Sequence, residues 1–271
     1  LSILETIVVH KRKEVEARKR KTSQEALVRR LNSAPVTRDF RAALVSDERP
    51  APRVIAEVKR RSPSKGALRP DLDPVELAGI YEGNGAAAIS VLTDAKYFGG
   101  SLEDLRAVRQ VASIPLLCKE FMIDPYQVIE ARLAGADAIL LIAGVLAAID
   151  LSELRRLAAN LGMAALVEVH DRAQLGAALD GGADIIGINN RNLHTFEVSL
   201  ATTQELLPLV PPDVVTVSES GIKAPSDRAH LALLGVDALL VGETLLTSSD
   251  VGAATRLICG LAAPALETSS L

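Results

Sequence analysis

An α/β fold, a (β/α)8 TIM barrel with an N-terminal helical extension, is what three features of the sequence predict. From Arg53 onward, short apolar segments alternate with helical patterns, eight of each. Three passages nearly repeat: LAGADAILL at 133–141, DGGADIIGI at 180–188 and LLGVDALLV at 233–241. Each is a helix end, a glycine turn, an Asp and a buried strand, which is a βα repeat at building-block scale. Hydrophobic residues make up 48% of the chain but aromatics only 3%, so the core is Leu, Ile, Val and Ala, which suits helices on a parallel sheet. An open doubly wound sheet is the alternative. It has fewer strands, and no GxGxxG follows the first strand here.

The 271 residues are expected to form one barrel domain over 1–271, with 1–48 as the helical extension. Residues 1–31 read as a helical arm in which Leu4, Val8 and Val15 recur near helical spacing. Nine Lys/Arg stand against four Asp/Glu in this arm, and the spacing predicts a solvated basic face. A second short helix is expected over 36–45 around Phe40 and Leu44, and Pro50 and Pro52 then break the chain. The candidate strands are 53–59, 87–92, 114–119, 137–142, 164–169, 184–189, 214–219 and 237–241. The candidate helices are 73–83, 101–110, 124–134, 149–160, 171–180, 199–207, 225–234 and 250–261. Asp73 before Pro74 and Asp124 before Pro125 give an acidic N-cap with Pro at the first helical position. Ser101 with Asp104 resembles a capping box. Glycines at 83, 85, 135, 162, 181, 182 and 235 are expected to close helices.

Composition narrows the function. A net charge of −4 gives no global basicity, so neither nucleic acid nor a membrane surface is an expected partner. No apolar run approaches the length of a bilayer span, and the charged N-terminus lacks a signal peptide's apolar core. Cys118 and Cys259 form no metal or redox spacing and read as reduced thiols of a cytoplasmic protein. His10, His170, His194 and His230 are not spaced as helical metal ligands, so no metal site is expected.

The chemistry gathers where this fold keeps it, at the C-terminal ends of the strands. Glu57 and Lys59 sit two apart at the end of the first strand and so share a face, ahead of the turn-forming RRSPSKG. Thr93 and Asp94 end the second strand, Lys119 and Glu120 the third, and Glu168 the fifth. Asn189 to Asn192 end the sixth, SESG (218–221) the seventh, and Gly242 and Glu243 the eighth. The strand bodies are almost wholly apolar. Glycines after the last two strands let backbone N–H groups approach a phosphate. Lys59, Lys119 and Arg191 suit carboxylate, phosphate or a developing oxyanion, while Glu57 and Glu168 offer acid and base functions. Phe98, Phe121, Leu140 and Leu193 suit an apolar slot for a flat ring.

Eight ordered stretches resemble the indole-3-glycerol phosphate synthase family of tryptophan biosynthesis. They are IAEVKRRSPSKG (55–66), ISVLTDAKYFGGS (89–101), LCKEFMIDPYQV (117–128), GADAILLIA (135–143), LVEVHD (166–171), IGINNRNLHTFEV (186–198), SESGI (218–222) and LVGETLL (240–246). The resemblance implies closure of the indole ring on 1-(2-carboxyphenylamino)-1-deoxyribulose 5-phosphate, with loss of CO2 and then of water. It implies neither metal nor organic cofactor.

The resemblance also implies roles. Lys119 resembles the general acid of that family and Glu168 its acid/base partner. Lys59 resembles the lysine that orients substrate, Glu57 the glutamate that sets the lysines' electrostatics, and Asn189 the asparagine at the reacting centre. Ser62 and Arg191 match polar substrate-binding positions. Ser220, Gly221, Gly242 and Glu243 match the phosphate cradle, with Ser220 grouped among the catalytic residues. The expected partners are a small phosphorylated substrate and, by the same resemblance, other tryptophan-pathway enzymes. Arg61 and Cys118 depart from the family pattern, which puts substrate affinity in question. From the residues alone, a Schiff-base aldolase of a sugar phosphate with Lys119 as its amine is the rival reading.

Overall fold

The computed structural model describes residues 2–45, 52–193 and 195–261. Pro50 and His194 lie outside the described residues, as do the last residues of the 1–48 extension and the end of the 1–271 span.

Eight parallel strands close into a barrel. They are β1 (Arg53–Val58), β2 (Ala88–Leu92), β3 (Leu116–Lys119), β4 (Ala138–Ile142), β5 (Ala164–Val169), β6 (Ile185–Asn189), β7 (Val215–Glu219) and β8 (Ala238–Val241). Each expected strand is present, trimmed by up to two residues, and Lys59 stands one residue past the end of β1.

The helices are α1 (Ile3–Lys21), α2 (Gln24–Val28), α3 (Phe40–Val45), α4 (Pro74–Gly83), α5 (Ala95–Phe98), α6 (Leu102–Val111) and α7 (Pro125–Leu133). Then come α8 (Ala148–Asn160), α9 (Arg172–Asp180), α10 (Ala201–Leu206), α11 (Pro225–Leu234), α12 (Glu243–Leu246) and α13 (Val251–Ile258). The one-turn helices α5 and α12 and a small hairpin pairing Arg61–Ser62 with Gly66–Ala67 were not expected. All three follow strand ends, where local pattern is too short to read.

Capping chemistry accounts for the helix starts. Asp73 Oδ1 accepts from Val75 N at 2.8 Å, and Asp124 Oδ1 accepts from Tyr126 N at 2.9 Å. Ser101 caps α6 by accepting from Asp104 N at 3.0 Å, but the expected capping box is incomplete. The Asp104 carboxylate turns instead to Arg60, accepting two guanidinium bonds at 2.6 and 3.0 Å. A bidentate ionic pair outcompetes a single bond to the cap backbone. Two of the expected closing glycines also differ: Gly83 is still helical and Gly181 is right-handed, and the left-handed turn falls on Gly85 and Gly182.

Two apolar layers follow from strand alternation. Val54, Ala56 and Val58 of β1 face outward and pack with the helices. Ile55, Leu117, Leu140, Leu166, Val217 and Leu240 face inward and fill the barrel, with Phe40 and Leu44 of α3 packed among them. The repeated Asp serves this scaffold: Asp137 Oδ2 accepts from Leu116 N and Asp237 Oδ2 from Thr216 N, each at 2.8 Å, at the N-terminal ends of the strands.

The basic arm is solvated on one side and docked on the other: Arg12, Lys13, Arg20, Lys21, Arg29 and Arg30 are exposed, as expected, while Lys11, Arg18 and Lys19 turn to the barrel. Lys11 is fully buried, with Nζ 2.9 Å from Asp94, 3.1 Å from Glu120 and 2.9 Å from Glu14. Arg18 reaches Glu130 at 3.0 Å and Lys19 reaches Asp124 at 2.6 Å. These three cations meet carboxylates of the barrel's loops and of α7, partners far away in the chain.

Candidate active site

Register places the polar strand ends at one height. Lys119 pairs with Leu92, Glu168 with Ile142, and Asn189 with Glu219 across neighbouring strands. Glu57, Lys119, Glu168 and Glu219 occupy the inward position that follows the apolar filling, two residues after Ile55, Leu117, Leu166 and Val217, and Asn189 follows Gly187 in the same way. A polar layer therefore sits on the apolar one at the C-terminal mouth.

Lys119 is the hub of that layer. Its Nζ lies 3.3 Å from Glu219 Oε2, 3.7 Å from Glu57 Oε2 and 3.9 Å from Glu168 Oε2. Burial opposes its charge, but Glu219, Glu57 and Glu168 outweigh burial and hold the ammonium above the ordinary lysine range. Lys59 Nζ bonds Glu57 Oε1. Burial alone would raise the Glu57 carboxyl, yet Lys59 and Lys119 bring it below its usual value. Three carboxylates thus face two ammoniums, and the unbalanced one is Glu219. Burial, only partly offset by Lys119 and reinforced by Glu168, pushes its carboxyl up to about 8.

Glycine makes room for these acids. A Cβ on Gly187 would lie 2.1 Å from Glu219 Oε1, and one on Gly242 would lie 2.6 Å from Glu57 Oε1. Gly242 thus serves the Glu57 carboxylate directly. Ser220, at φ 65°, adopts a left-handed conformation rare for a side-chain-bearing residue. Asn190 supports it from behind: its Nδ2 donates to Ser218 Oγ, Glu219 O and Ser220 O at 2.9–3.1 Å, and its Oδ1 accepts from Thr203.

All fifteen candidate residues line one cavity of about 360 Å3. The Phe98 and Phe121 rings meet at 5.9 Å and 39°, and Leu140 and Leu193 extend that apolar wall. Arg191 Nη2 stands 3.5 Å from Glu243 Oε2, and Lys65 Nζ 3.3 Å from Glu243 Oε1. Ser62 reaches the cavity beside Ser64, 3.5 Å between hydroxyl oxygens.

Sequence reasoning missed two contributions. Glu219 was passed over for Ser220, although alternation from Val215 and Val217 points to Glu219 as the inward residue. Ile3, Leu4 and Ile7 of the arm also line the cavity, and no local signal marks them. The two departures from the family pattern do not touch it. Arg61 Nη2 donates to Ala95 O at 2.9 Å and to Lys96 O. Cys118 faces outward near Thr93, with burial pushing its thiol up to about 12.

Among the described residues, no helix is long and apolar enough to cross a membrane. Solved structures share the fold: 3-hexulose-6-phosphate synthase from Salmonella typhimurium at TM-score 0.62 and 14% identity, covering 77% of this chain and 97% of that one. A 4-hydroxy-2-oxoglutarate aldolase/2-deydro-3-deoxyphosphogluconate aldolase from TTHB1 follows at TM-score 0.58 and 21% identity, covering 76% and 92%. At such identity the likeness concerns the fold alone. The family model described as indole-3-glycerol phosphate synthase matches residues 4–258. Proteins of that name are 56% identical over 207 residues in Dehalococcoides mccartyi strain CBDB1 (75% of this chain, 80% of that one) and 47% over 257 in Chloroherpeton thalassium (93% and 98%). In Roseiflexus castenholzii the identity is 47% over 267 residues, covering 96% of this chain and 98% of the relative. The chain belongs to the indole-3-glycerol phosphate synthase family, the carboxy-lyases that form the indole ring of tryptophan.

Proposed function

We propose that Lys119 is the general acid of this reaction, working on 1-(2-carboxyphenylamino)-1-deoxyribulose 5-phosphate. The observation that carries the reading is its ammonium, held charged among Glu57, Glu168 and Glu219 at 3.3–3.9 Å. Ring closure turns the ribulose carbonyl into an alcohol, and dehydration expels that oxygen as water. Both steps need a proton at oxygen, and a buried ammonium supplies it. Glu168 takes and returns protons beside it, with Asn189 Nδ2 donating to Glu168 Oε1 at 3.1 Å to hold the carboxylate. Glu57 pairs with Lys59 and helps hold Lys119 charged, and Lys59 orients the substrate. Phe98, Phe121, Leu140 and Leu193 grip the anthranilate ring and exclude water.

In the same reading, Ser62 and Arg191 hold polar groups of the substrate, and the phosphate sits at Ser220, Gly221, Gly242 and Glu243. The Glu243 carboxylate then exchanges its contacts with Arg191 and Lys65 for a position away from the anion, leaving both cations to the phosphate. The helices of 1–48 and the barrel act as one domain over 1–271, supported by the buried Lys11 cluster. The protein works in the cytoplasm, beside other enzymes of its pathway.

A Schiff-base aldolase needs a neutral amine. The three carboxylates around Lys119 favour the opposite state. Indole fluorescence on mixing the protein with the substrate tests the proposal. Lys119→Ala is expected to lose turnover by about 10^3-fold or more while still unfolding cooperatively. Near-normal turnover in that variant would end the role given to Lys119.

A further inference from the structure

Ile7, Lys11 and Val15 lie four residues apart and form the buried face of α1. An ammonium in the middle of an apolar stripe is unfavourable unless carboxylates meet it. Two carboxylates of the barrel's loops do so, Asp94 and Glu120. Each of them also holds the backbone of one ring of the apolar slot.

Asp94 divides its oxygens between two tasks. Oδ1 caps α5, accepting from Tyr97 N at 2.6 Å and from Phe98 N at 3.3 Å. Oδ2 makes no hydrogen bond among the described residues and has Lys11 Nζ at 2.9 Å as its ionic partner. Glu120 Oε1 accepts from Phe121 N at 2.8 Å, and Lys11 Nζ stands 3.1 Å from Oε1 and 3.2 Å from Oε2. Phe98 and Phe121 follow different strands, yet one ammonium ties both backbones through a carboxylate each. The arm touches α5 a second time, where the His10 ring meets Tyr97 edge-on at 5.9 Å. Lys11 itself does not line the cavity, whereas Leu4 and Ile7 on the same helix do.

We propose that Lys11 is a positioning residue for the aromatic end of the substrate: through Asp94 and Glu120 it sets Phe98 against Phe121, so that docking of the arm and formation of the ring slot are one event. Without the ammonium, two buried carboxylates are left facing each other with little to screen them. Their repulsion drives the loops after β2 and β3 apart, and the rings, now 5.9 Å between centroids, separate with them. The phosphate cradle stands on the loops after β7 and β8, which Lys11 does not touch. The effect is therefore confined to ligands that carry a ring.

This assignment rests on Phe98 and Phe121 gripping the anthranilate ring as proposed above, and the tests separate the two. The chain holds four Phe, so spectra of the intact protein labelled with ring-13C Phe read the slot without any turnover. In Lys11→Met the Phe98 and Phe121 signals are expected to shift while that of Phe40, inside the barrel, stays in place. In binding, the product indole-3-glycerol phosphate carries the ring and glycerol 3-phosphate lacks it. Lys11→Met is expected to weaken the product about tenfold and raise KM alike, with kcat and the affinity for glycerol 3-phosphate kept within about threefold. Lys11→Met/Glu120→Gln leaves an acceptor for Phe121 N and no lone charge beside it, and it carries the test where the single variant unfolds. Asp94 is still released there, so the product is expected to weaken about threefold. Parental ring signals with parental product affinity would sink the proposal. So would an equal loss for both ligands, the mark of a general loosening. Phe121→Ala is expected to weaken the product about tenfold or more. Parental product affinity in that variant would instead sink the ring slot, and shifted spectra in Lys11→Met would then leave Lys11 placing two rings that the substrate does not use.

Discussion

Lys11→Met takes one ammonium out of a cluster that holds two buried carboxylates. Asp94 is 0% exposed and Glu120 5%, and the lost contacts are 2.9 and 3.1 Å. Breaking a buried ion pair from one side costs about 3–5 kcal/mol, because the remaining charge has no water to turn to. Asp94 keeps its bond from Tyr97 N, and Glu120 keeps those from Phe121 N and Thr93, so the lower half of that range applies. Melting entropy of about 2.1 cal/mol/K per residue converts a loss of ~4 kcal/mol into a fall of roughly 7 °C for a chain of this length. The loss should depend on pH. Burial already raises the Glu120 carboxyl against the pull of Lys11, and removing Lys11 raises it further. A carboxyl raised in the folded state gives stability that is fully present below its unfolded value and is lost as pH rises through the folded one. The variant should therefore lose less at pH 5 than at pH 8, and adding Glu120→Gln should recover part of the loss. Thermal and urea unfolding at both pH values is the assay. A loss below about 1 kcal/mol at pH 8, or one equal at both, would refute the account of the cluster.

Other outcomes follow from the carboxylate layer. Burial pushes the Glu219 carboxyl up to about 8, so this group completes its ionisation late as pH rises. The substrate is an anion, so kcat/KM should fall as pH rises past about 8, and Glu219→Gln should remove that fall; a limb unchanged in the variant would clear Glu219. Gly242→Ala places a methyl 2.6 Å from Glu57 Oε1 and 3.0 Å from its Cβ, so the carboxylate must leave its lysines. Overpacking of about 1–3 kcal/mol predicts a Tm lower by roughly 2–5 °C, with about a hundredfold loss of kcat/KM. Steady-state kinetics beside a melting curve checks both, and an unimpaired kcat/KM would show that Glu57 tolerates displacement.

Much of the site is legible because its information is local. Glu57, Lys59, Lys119, Glu168 and Asn189 stand at the ends of apolar strands, and a period of two assigns the strand residues' faces from a few neighbours. The same rule, carried one strand further, identifies Glu219 rather than the serines beside it. Caps such as Asp73 and Asp124 are likewise written within three residues of the bonds they make. The small helices after β2 and β8 escape notice because four residues hold barely one turn, too few for a pattern to repeat.

The order of strands and helices, the inward face of each strand and the crowd of charges at one end were therefore determined by the sequence by itself. Tertiary structure decided which charges meet. Lys119 becomes a buried ammonium because barrel closure brings β1, β5 and β7 to it, from 62 residues before to 100 after. The same closure buries Glu219 and raises its carboxyl. Lys11 illustrates the limit most plainly. On its own helix it reads as one basic residue among several, and only the docked arm places it 109 residues away against Glu120, with no water between. Burial and long-range charge are properties of the assembled packing, and a local pattern carries neither.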